Sequence, residues 1–594
     1  MRISSVPAAI VLGGLAFCAC SPRVEETHGL AELVAGTALA PAAARHVTVE
    51  PGGDLLLAAG AALDLLVELP ARARLEVDRV EPLRGARFEL DLVCADSVER
   101  RALERIEAPA PLARELRPAR AATLPCALEL RVAAAAGASE AAVRLRNPRL
   151  VRSWRAPMPP EGAPVRVATR PNLVIFLVDT LRADRLTAYG ARRVVAPTME
   201  ELAREGVVVT HARAQSSWTL PTVATLLTGL APAQHGAELV GRNLPAEVVT
   251  LAERLREHGY RTGAVSTNPN VSNPRGFAQG FERFDDVGYT SDKREWATWD
   301  QALPKALAFL DTVGADEPFF LYYHILEPHR PYAAPALLRE HYATGVDPRL
   351  GTYRELERRR RSDLPWSDEE RAGLEQLYDA EVASADRGLA AFLDELDRRG
   401  RLDETIVLLT ADHGEELLEH GGLDHGHTLF EEQLRVPMVW KLPAARNGRR
   451  LDAVVDQLDV TPTLLELAGL PVPAELPGRS FAAALAGAAP PRDRPSPAWL
   501  DRRENVLDAL AHGGYKLKHV YRESRQKEPW RRLLFDLGTD PGERDNLIAA
   551  RPIRHRFLVA ELDRWSRIAL PTIAPEAAQL DAEQRAALAA LGYL

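Results

Sequence analysis

NLVIFLVD, Asn172 to Asp179, sets six apolar residues between an asparagine and an aspartate. A continuous apolar run has no polar face to turn to water, so it reads as a strand buried on both sides. Four further runs share this character: TGAVSTN (262–268), FFLYYHIL (319–326), TIVLLTAD (405–412) and VPMVWKL (436–442). Helical patterns separate them, among them APTMEELAREG, VVTLAERLREHG and YDAEVASADRGLAAFLDELDRRG. Strands alternating with helices predict an α/β fold built on a largely parallel sheet flanked by helices. In such a sheet ligands bind beyond the carboxyl ends of the strands.

Those ends carry chemistry. One strand ends in Asp179, another in Asp412–His413, and a third leads through His324 to Glu327–Pro328–His329. An aspartate at a strand end most often caps the next helix, but here three ends carry Asp, Asp-His and His. SSWTLPTVATLLTG (216–229) adds a hydroxyl: Pro221 suits a first helical turn and Gly229 a helix end, which predicts a helix over about 220–227 with Thr219 at its N-cap. Two carboxylates, an imidazole and a hydroxyl form a hard oxygen and nitrogen set suited to Zn, Mn, Mg or Ca. GGLDHGHTLFEEQLRVP supplies His425, His427 and Arg435, the last read as structural.

Outside this region the chain changes character. MRISSVPAAIVLGGLAFCACS has one early Arg and an apolar run of about fifteen residues, short of the roughly 20 that cross a bilayer as a helix. It reads as an export signal over 1–20, and its end resembles a bacterial lipoprotein signal with Cys20 lipidated, although Phe17 stands where a small aliphatic residue is usual. The expectation is an exported protein of the periplasm or cell envelope, attached to the membrane if Cys20 carries a lipid. Residues 21–45 read as a tether. Short alternating runs such as HVTVEP and ARFELDLVCA predict a β-rich accessory domain over 46–152, followed by a Pro-rich linker at 153–171. Cys94 and Cys126 can pair in an oxidising compartment or stay reduced. The catalytic domain is expected over 172–470 and a small antiparallel C-terminal subdomain with a terminal helix over 471–594. With 594 residues, 46% of them hydrophobic and 26% charged, the chain has material for more than one core. Its net charge of −9, with no basic stripe, excludes a dedicated nucleic-acid binder.

NLVIFLVDTLRADRLTAYG, TLPTVATLLTGL, HILEPHRPY, LTADHGEELLEHG, HTLFEEQLRVPMV and LFDLGTDPGERDNL together resemble the sulfatase family of the alkaline-phosphatase superfamily over roughly 172–550. The resemblance implies an alkaline-phosphatase-like core, a divalent metal, and hydrolysis of sulfate or phosphate esters by a nucleophile at a helix N-terminus. It places Thr219 where sulfatases carry the residue oxidised to formylglycine, Asp179, Asp412 and His413 on metal positions, His329 on a substrate-contacting histidine, and His427 where a lysine is usual. A second ion is optional, with Glu327, His329, His425 and His427 as available ligands or as direct substrate contacts.

Three positions depart from the family pattern. Thr219 cannot become formylglycine, Val223 replaces an arginine that supports the modified residue, and Thr180 replaces a second metal-binding aspartate. The expected enzyme is therefore a metal-dependent hydrolase or transferase in which Thr219 attacks a phosphate (or sulfate) ester, phosphate being favoured by the threonine, and His329 or His427 protonates the leaving group. Its partner is a phosphate or sulfate ester of unspecified organic part. The alternatives are a sulfuric ester hydrolase without formylglycine and a non-catalytic binding protein of this fold.

Overall fold

The computed structural model describes residues 23–30, 47–50, 54–58, 62–69, 72–84, 86–94, 101–116, 124–134 and 141–155 of an N-terminal unit. Beyond it, residues 170–290, 295–362, 364–443, 448–491, 493–502, 505–521, 529–568, 573, 576–578 and 580–590 are described. The export signal and Cys20 lie outside these residues, as do most of the expected tether and linker. Among the described residues no helix is long and apolar enough to cross a membrane.

The described part of the N-terminal unit consists of antiparallel strands in a seven-stranded and a four-stranded sheet. Alternate residues such as Leu75, Val77, Phe88, Leu90, Leu128 and Leu130 turn inward to form its core. Cys126 is disulfide-bonded, and the strand register sets Cys94 opposite it. Two expectations change here. Arg23–Gly29, read as tether, is a strand paired along its length with Arg149–Arg155, which itself runs into the expected linker. The strand lies at the sheet edge, where backbone pairing needs no apolar alternation, so RVEETHG carries no hydrophobic signal.

In the second unit we number the strands of the main sheet β1 (Asn172–Val178), β2 (Val207–Arg213), β3 (Arg261–Ser266), β4 (Arg283–Asp286), β5 (Phe319–Ile325), β6 (Thr405–Thr410), β7 (Arg435–Val436), β8 (Met438–Lys441) and β9 (Arg449–Asp456). Their order is β4-β3-β5-β1-β6-β8-β2-β7, with β9 beside β2. From β4 to β6 every pairing is parallel. VPMVWKL enters the sheet antiparallel instead, through β8 against both β6 and β2. Every residue of β1, β5 and β6 is buried, as their unbroken apolar runs require.

Two helices matter for the site. α1 (Thr219–Thr228) is buried throughout and ends at Gly229, whose φ of +74° is the left-handed conformation that glycine adopts without strain. α2 (Asp368–Arg398) starts at a reciprocal cap in which Ser367 Oγ accepts from Glu370 N at 3.1 Å and Ser367 N donates to Glu370 Oε2 at 2.9 Å. Its inner face packs Leu377, Leu389 and Phe392 into the core beneath β1 and β5. Towards the C-terminus a four-stranded antiparallel sheet, Ser496–Arg502, Asn505–His512, Tyr515–Tyr521 and Arg531–Asp536, is followed by the helix Pro552–Ile568.

Candidate active site at the carboxyl ends of the strands

β1, β3, β5 and β6 run parallel, so the residues that follow them emerge at one edge of the sheet. Asp179 follows β1, Asn268 lies two residues past β3, His324 is the penultimate residue of β5, and Asp412–His413 follow β6. All five are buried.

Asp179 Oδ2 accepts hydrogen bonds from Asn268 Nδ2 at 2.6 Å and His324 Nε2 at 2.9 Å. His324 Nδ1 then faces Tyr322 Oη at 3.0 Å, and with Nε2 against the Asp179 carboxylate the ring proton sits on Nε2. Asp412 Oδ1 accepts from the backbone N–H of Thr180 at 3.0 Å and of His413 at 2.9 Å. The other two carboxylate oxygens, Asp179 Oδ1 and Asp412 Oδ2, are buried and have no hydrogen-bond partner among the described residues. His413 Nδ1 donates to Gly414 O at 2.8 Å, leaving Nε2 as the lone-pair nitrogen, 3.2 Å from Asp412 Oδ2.

A buried carboxylate oxygen with no partner is costly. Ligand atoms of Asp179, Asp412 and His413 all lie within 4.8 Å of one another. Two orphaned oxygens and an imidazole lone pair at such spacing fit a divalent cation. The electrostatics agree. Burial pushes the Asp179 carboxyl well above its usual range, and the neighbouring Asp412 charge adds to this. Burial also opposes ionisation of Asp412, but the adjacent His413 outweighs it and holds that carboxyl low. For His413, burial is outweighed by Asp412 and Asp179, which raise its value. A cation would let both carboxylates ionise.

Thr219 reaches this cluster from α1, at whose N-terminus the helix dipole favours an anion. Its Oγ1 lies 3.3 Å from His413 Nε2 and 3.5 Å from Asn268 Nδ2. The expected N-cap role is corrected: Thr219 is the first helical residue, Trp218 holds the N-cap position, and no side chain caps this end. Thr222 Oγ1 instead folds back onto the carbonyls of Trp218 and Thr219. Thr180 has a φ of +55°, a strained backbone for a β-branched residue, at the point where the chain leaves Asp179.

Of the expected histidines, the structure brings His329 near the cluster. Its Nδ1 donates to Arg330 O at 2.6 Å, and its ring meets that of His425 at 4.9 Å between centroids. His425 in turn lies against His413 at 4.4 Å. Burial lowers His329 to about 4. His427 goes elsewhere: its Nε2 meets Glu416 Oε2 at 2.8 Å and it is part exposed. Between the two histidines Gly426 adopts a φ of +71°, and the turn there separates their directions. Glu327 is also engaged elsewhere, its Oε1 accepting from Trp299 N at 3.1 Å. Arg435 bonds Thr210 O at 3.0 Å, the structural role read from the sequence. His425, named among the available ligands, does reach the cluster, and Asn268 is the residue missed. Asn268 stood in the quoted run TGAVSTN as a polar residue at a strand's carboxyl end, the available signal. The C-terminal sheet contributes Arg502, whose guanidinium lies 5.3 Å from the Trp218 ring and donates to His425 O at 2.9 Å.

Comparison with known proteins agrees with this architecture. The profile of the sulfatase family matches residues 171–470, and that of the C-terminal part of N-sulphoglucosamine sulphohydrolase matches 418–564. An ulvan-active sulfatase of Formosa agariphila is 26% identical over 419 residues, covering 64% of this chain and 77% of its own. Human arylsulfatase A is 26% identical over 465 residues, covering 65% and 85%. Among solved structures, the phosphonate monoester hydrolase of Agrobacterium radiobacter superposes with a TM-score of 0.56 at 20% identity, covering 67% of this chain and 96% of its own. A protein solved with its substrate D-glucosamine-2-N,6-O-disulfate gives 0.57 at 21% identity, covering 67% and 98%. With the family profile spanning half its length over the strands and helix that carry the site, the chain belongs to the sulfatase family of ester hydrolases.

Proposed function

We propose that this sulfatase-family protein is a metal-dependent hydrolase or transferase of phosphate esters that uses Thr219 itself as nucleophile. The observation that carries the reading is the convergence of Thr219 Oγ1 with His413 Nε2 at 3.3 Å, beside the orphaned oxygens of Asp179 and Asp412. A cation held by Asp179, Asp412, His413 and the Thr219 hydroxyl supplies Lewis acidity, of the kind that lowers the pKa of a bound water from roughly 15.7 to about 7. The helix N-terminus alone, worth about 0.3–1 kcal/mol towards an anion, is too weak to activate an alcohol.

With its hydroxyl proton released to water, Thr219 Oγ1 attacks phosphorus in line, forming an Oγ–P bond as the bond to the leaving oxygen breaks, and it leaves again as the alkoxide in the second step. His329 protonates that oxygen from Nε2, since its Nδ1 is committed to Arg330 O. Burial keeps the ring neutral in the free site, and an anionic ester beside it favours the protonated form. Asn268 and His324 hold Asp179, and the Arg502 guanidinium lies over the ring of Trp218, the residue before Thr219. Water, or an acceptor hydroxyl, displaces Thr219 in the second step while His329 Nε2 takes up the proton.

A second reading, a sulfuric ester hydrolase without formylglycine, draws on the relatives named above, which are sulfatases. Against it, a threonine sulfate offers no aldehyde hydrate through which to expel sulfate. Turnover of an aryl phosphate, a phosphodiester and an aryl sulfate by metal-loaded protein separates the readings. We expect the phosphorus esters to be turned over faster. Turnover of sulfate alone would replace the proposal with the second reading, and bound metal without turnover of any ester would favour a binding protein.

A further inference from the structure

A second carboxylate and imidazole cluster lies beside the first. Glu415 is two residues beyond His413 and wholly buried. The hairpin that follows pairs Glu416 with Asp424, so Asp424 and His425 return next to Glu415. His425 Nδ1 stands 2.9 Å from Asp424 Oδ1 and 3.3 Å from Glu415 Oε1. Ligand atoms of the three residues all lie within 4.8 Å of one another.

The charges around the cluster are unevenly matched. Arg330 Nη2 meets Asp424 at its other oxygen, Oδ2, at 2.6 Å, and is shared with Glu357. Arg182 turns its charge on Asp184 and Glu419 and gives Glu415 only a hydrogen bond to the backbone carbonyl. Glu415 Oε2 and Asp424 Oδ1 are both buried without a hydrogen-bond partner among the described residues. Arg330 and His425 compensate Asp424, whereas Glu415 is paired only with His425 among the ion pairs of the described residues, and its free buried Oε2 beside Asp424 Oδ1 and one ring nitrogen makes a donor set that a cation would satisfy.

We propose that Glu415, Asp424 and His425 bind a second divalent cation, of the zinc or manganese type that accepts mixed carboxylate and imidazole ligands. Glu327 and His427 are not part of this group: the converging ligand atoms are those of Glu415, Asp424 and His425, and His427 pairs with Glu416. With Nδ1 on the ion, the proton of the neutral His425 ring sits on Nε2. Since that ring packs against His413 with its plane tilted by 44°, the two cations would be neighbours with the two imidazoles between them. The inference does not depend on Thr219 being the nucleophile.

The test is metal content after chelation and reloading with zinc chloride, on the full chain, for wild type, Glu415→Gln, Asp424→Asn and Asp412→Asn. We expect two zinc ions per chain in wild type and one in each variant, with circular dichroism unchanged. Wild-type content of one ion, or unaltered content in Glu415→Gln and Asp424→Asn, would overturn the second site while leaving the first untouched. Should the variants fail to fold, zinc anomalous scattering from wild-type crystals decides. A peak bonded to Glu415, Asp424 and His425 supports the site, and its absence with a peak at Asp412 removes it.

Discussion

Thr219 Oγ1 and His413 Nε2 stand 3.3 Å apart although 194 residues separate them in the chain. Neither residue is placed by its own neighbours in sequence. Thr219 is carried by the start of α1, His413 by the end of β6, and the sheet and helix meet through a continuous apolar core. The juxtaposition therefore depends on groups that orient the cluster from behind.

His324 is one of them. Its Nε2–H holds Asp179 Oδ2, and such partners behind a metal ligand typically contribute about 10–100-fold in affinity or activity. His324→Gln is expected to weaken cation affinity by about that factor, measured by calorimetric titration, with the secondary structure intact. An unchanged affinity would remove His324 from the site's support.

His329 and His427 are expected to behave differently. Loss of a general acid costs about 10²–10⁴-fold, most for poor leaving groups. His329→Gln should therefore slow esters of alkyl alcohols far more than those of nitrophenol, steepening the dependence of rate on leaving-group pKa. His427→Gln should leave that slope unchanged, because His427 pairs with Glu416 rather than facing the cluster. A steepened slope for His427→Gln would restore it as the acid.

Glu381, on α2, gives a pH prediction away from the metal cluster. Burial, with the Glu327 charge adding to it, raises its carboxyl from 4.5 to about 8 although Ala333 N donates to it. The folded state binds this proton more tightly than the unfolded chain, so the contribution to stability is full below pH 4.5 and is lost as pH rises through about 8. Glu381→Gln keeps a neutral side chain and should flatten the fall in stability across that window, measured by urea unfolding at several pH values. An equally steep fall in the variant would exclude Glu381 as its source.

Gly414 follows His413 where the backbone passes close to another segment. A Cβ there would lie 2.0 Å from Glu432 O, so Gly414→Ala must displace one backbone from the other. Overpacking of this kind costs about 1–3 kcal/mol, and the shift would move His413. We expect a lower melting temperature together with weaker cation binding. An unchanged melting temperature would show that the segments separate freely.

The strands were legible in the sequence because β1, β5 and β6 are buried on both faces, which leaves an unbroken apolar run as their only stable composition. Asp179, Asp412 and His413 were legible for the same reason, as polar residues placed where such runs stop. Asn268 and His425 were harder to read. Asn268 acts through a hydrogen bond to a residue 89 positions away. The choice between His425 and His427 rests on the backbone turn at Gly426, and residue types alone do not give its direction. The strand Arg23–Gly29 was hidden because edge pairing is a backbone property.

The most direct measurement is kcat/KM for an activated aryl phosphate with Thr219→Ala beside wild type, both at measured metal content. If the Thr219 hydroxyl forms the bond to phosphorus, the variant loses at least about 10³-fold in rate when compared with wild type at equal cation occupancy. Wild-type activity in Thr219→Ala would show that another atom attacks the ester.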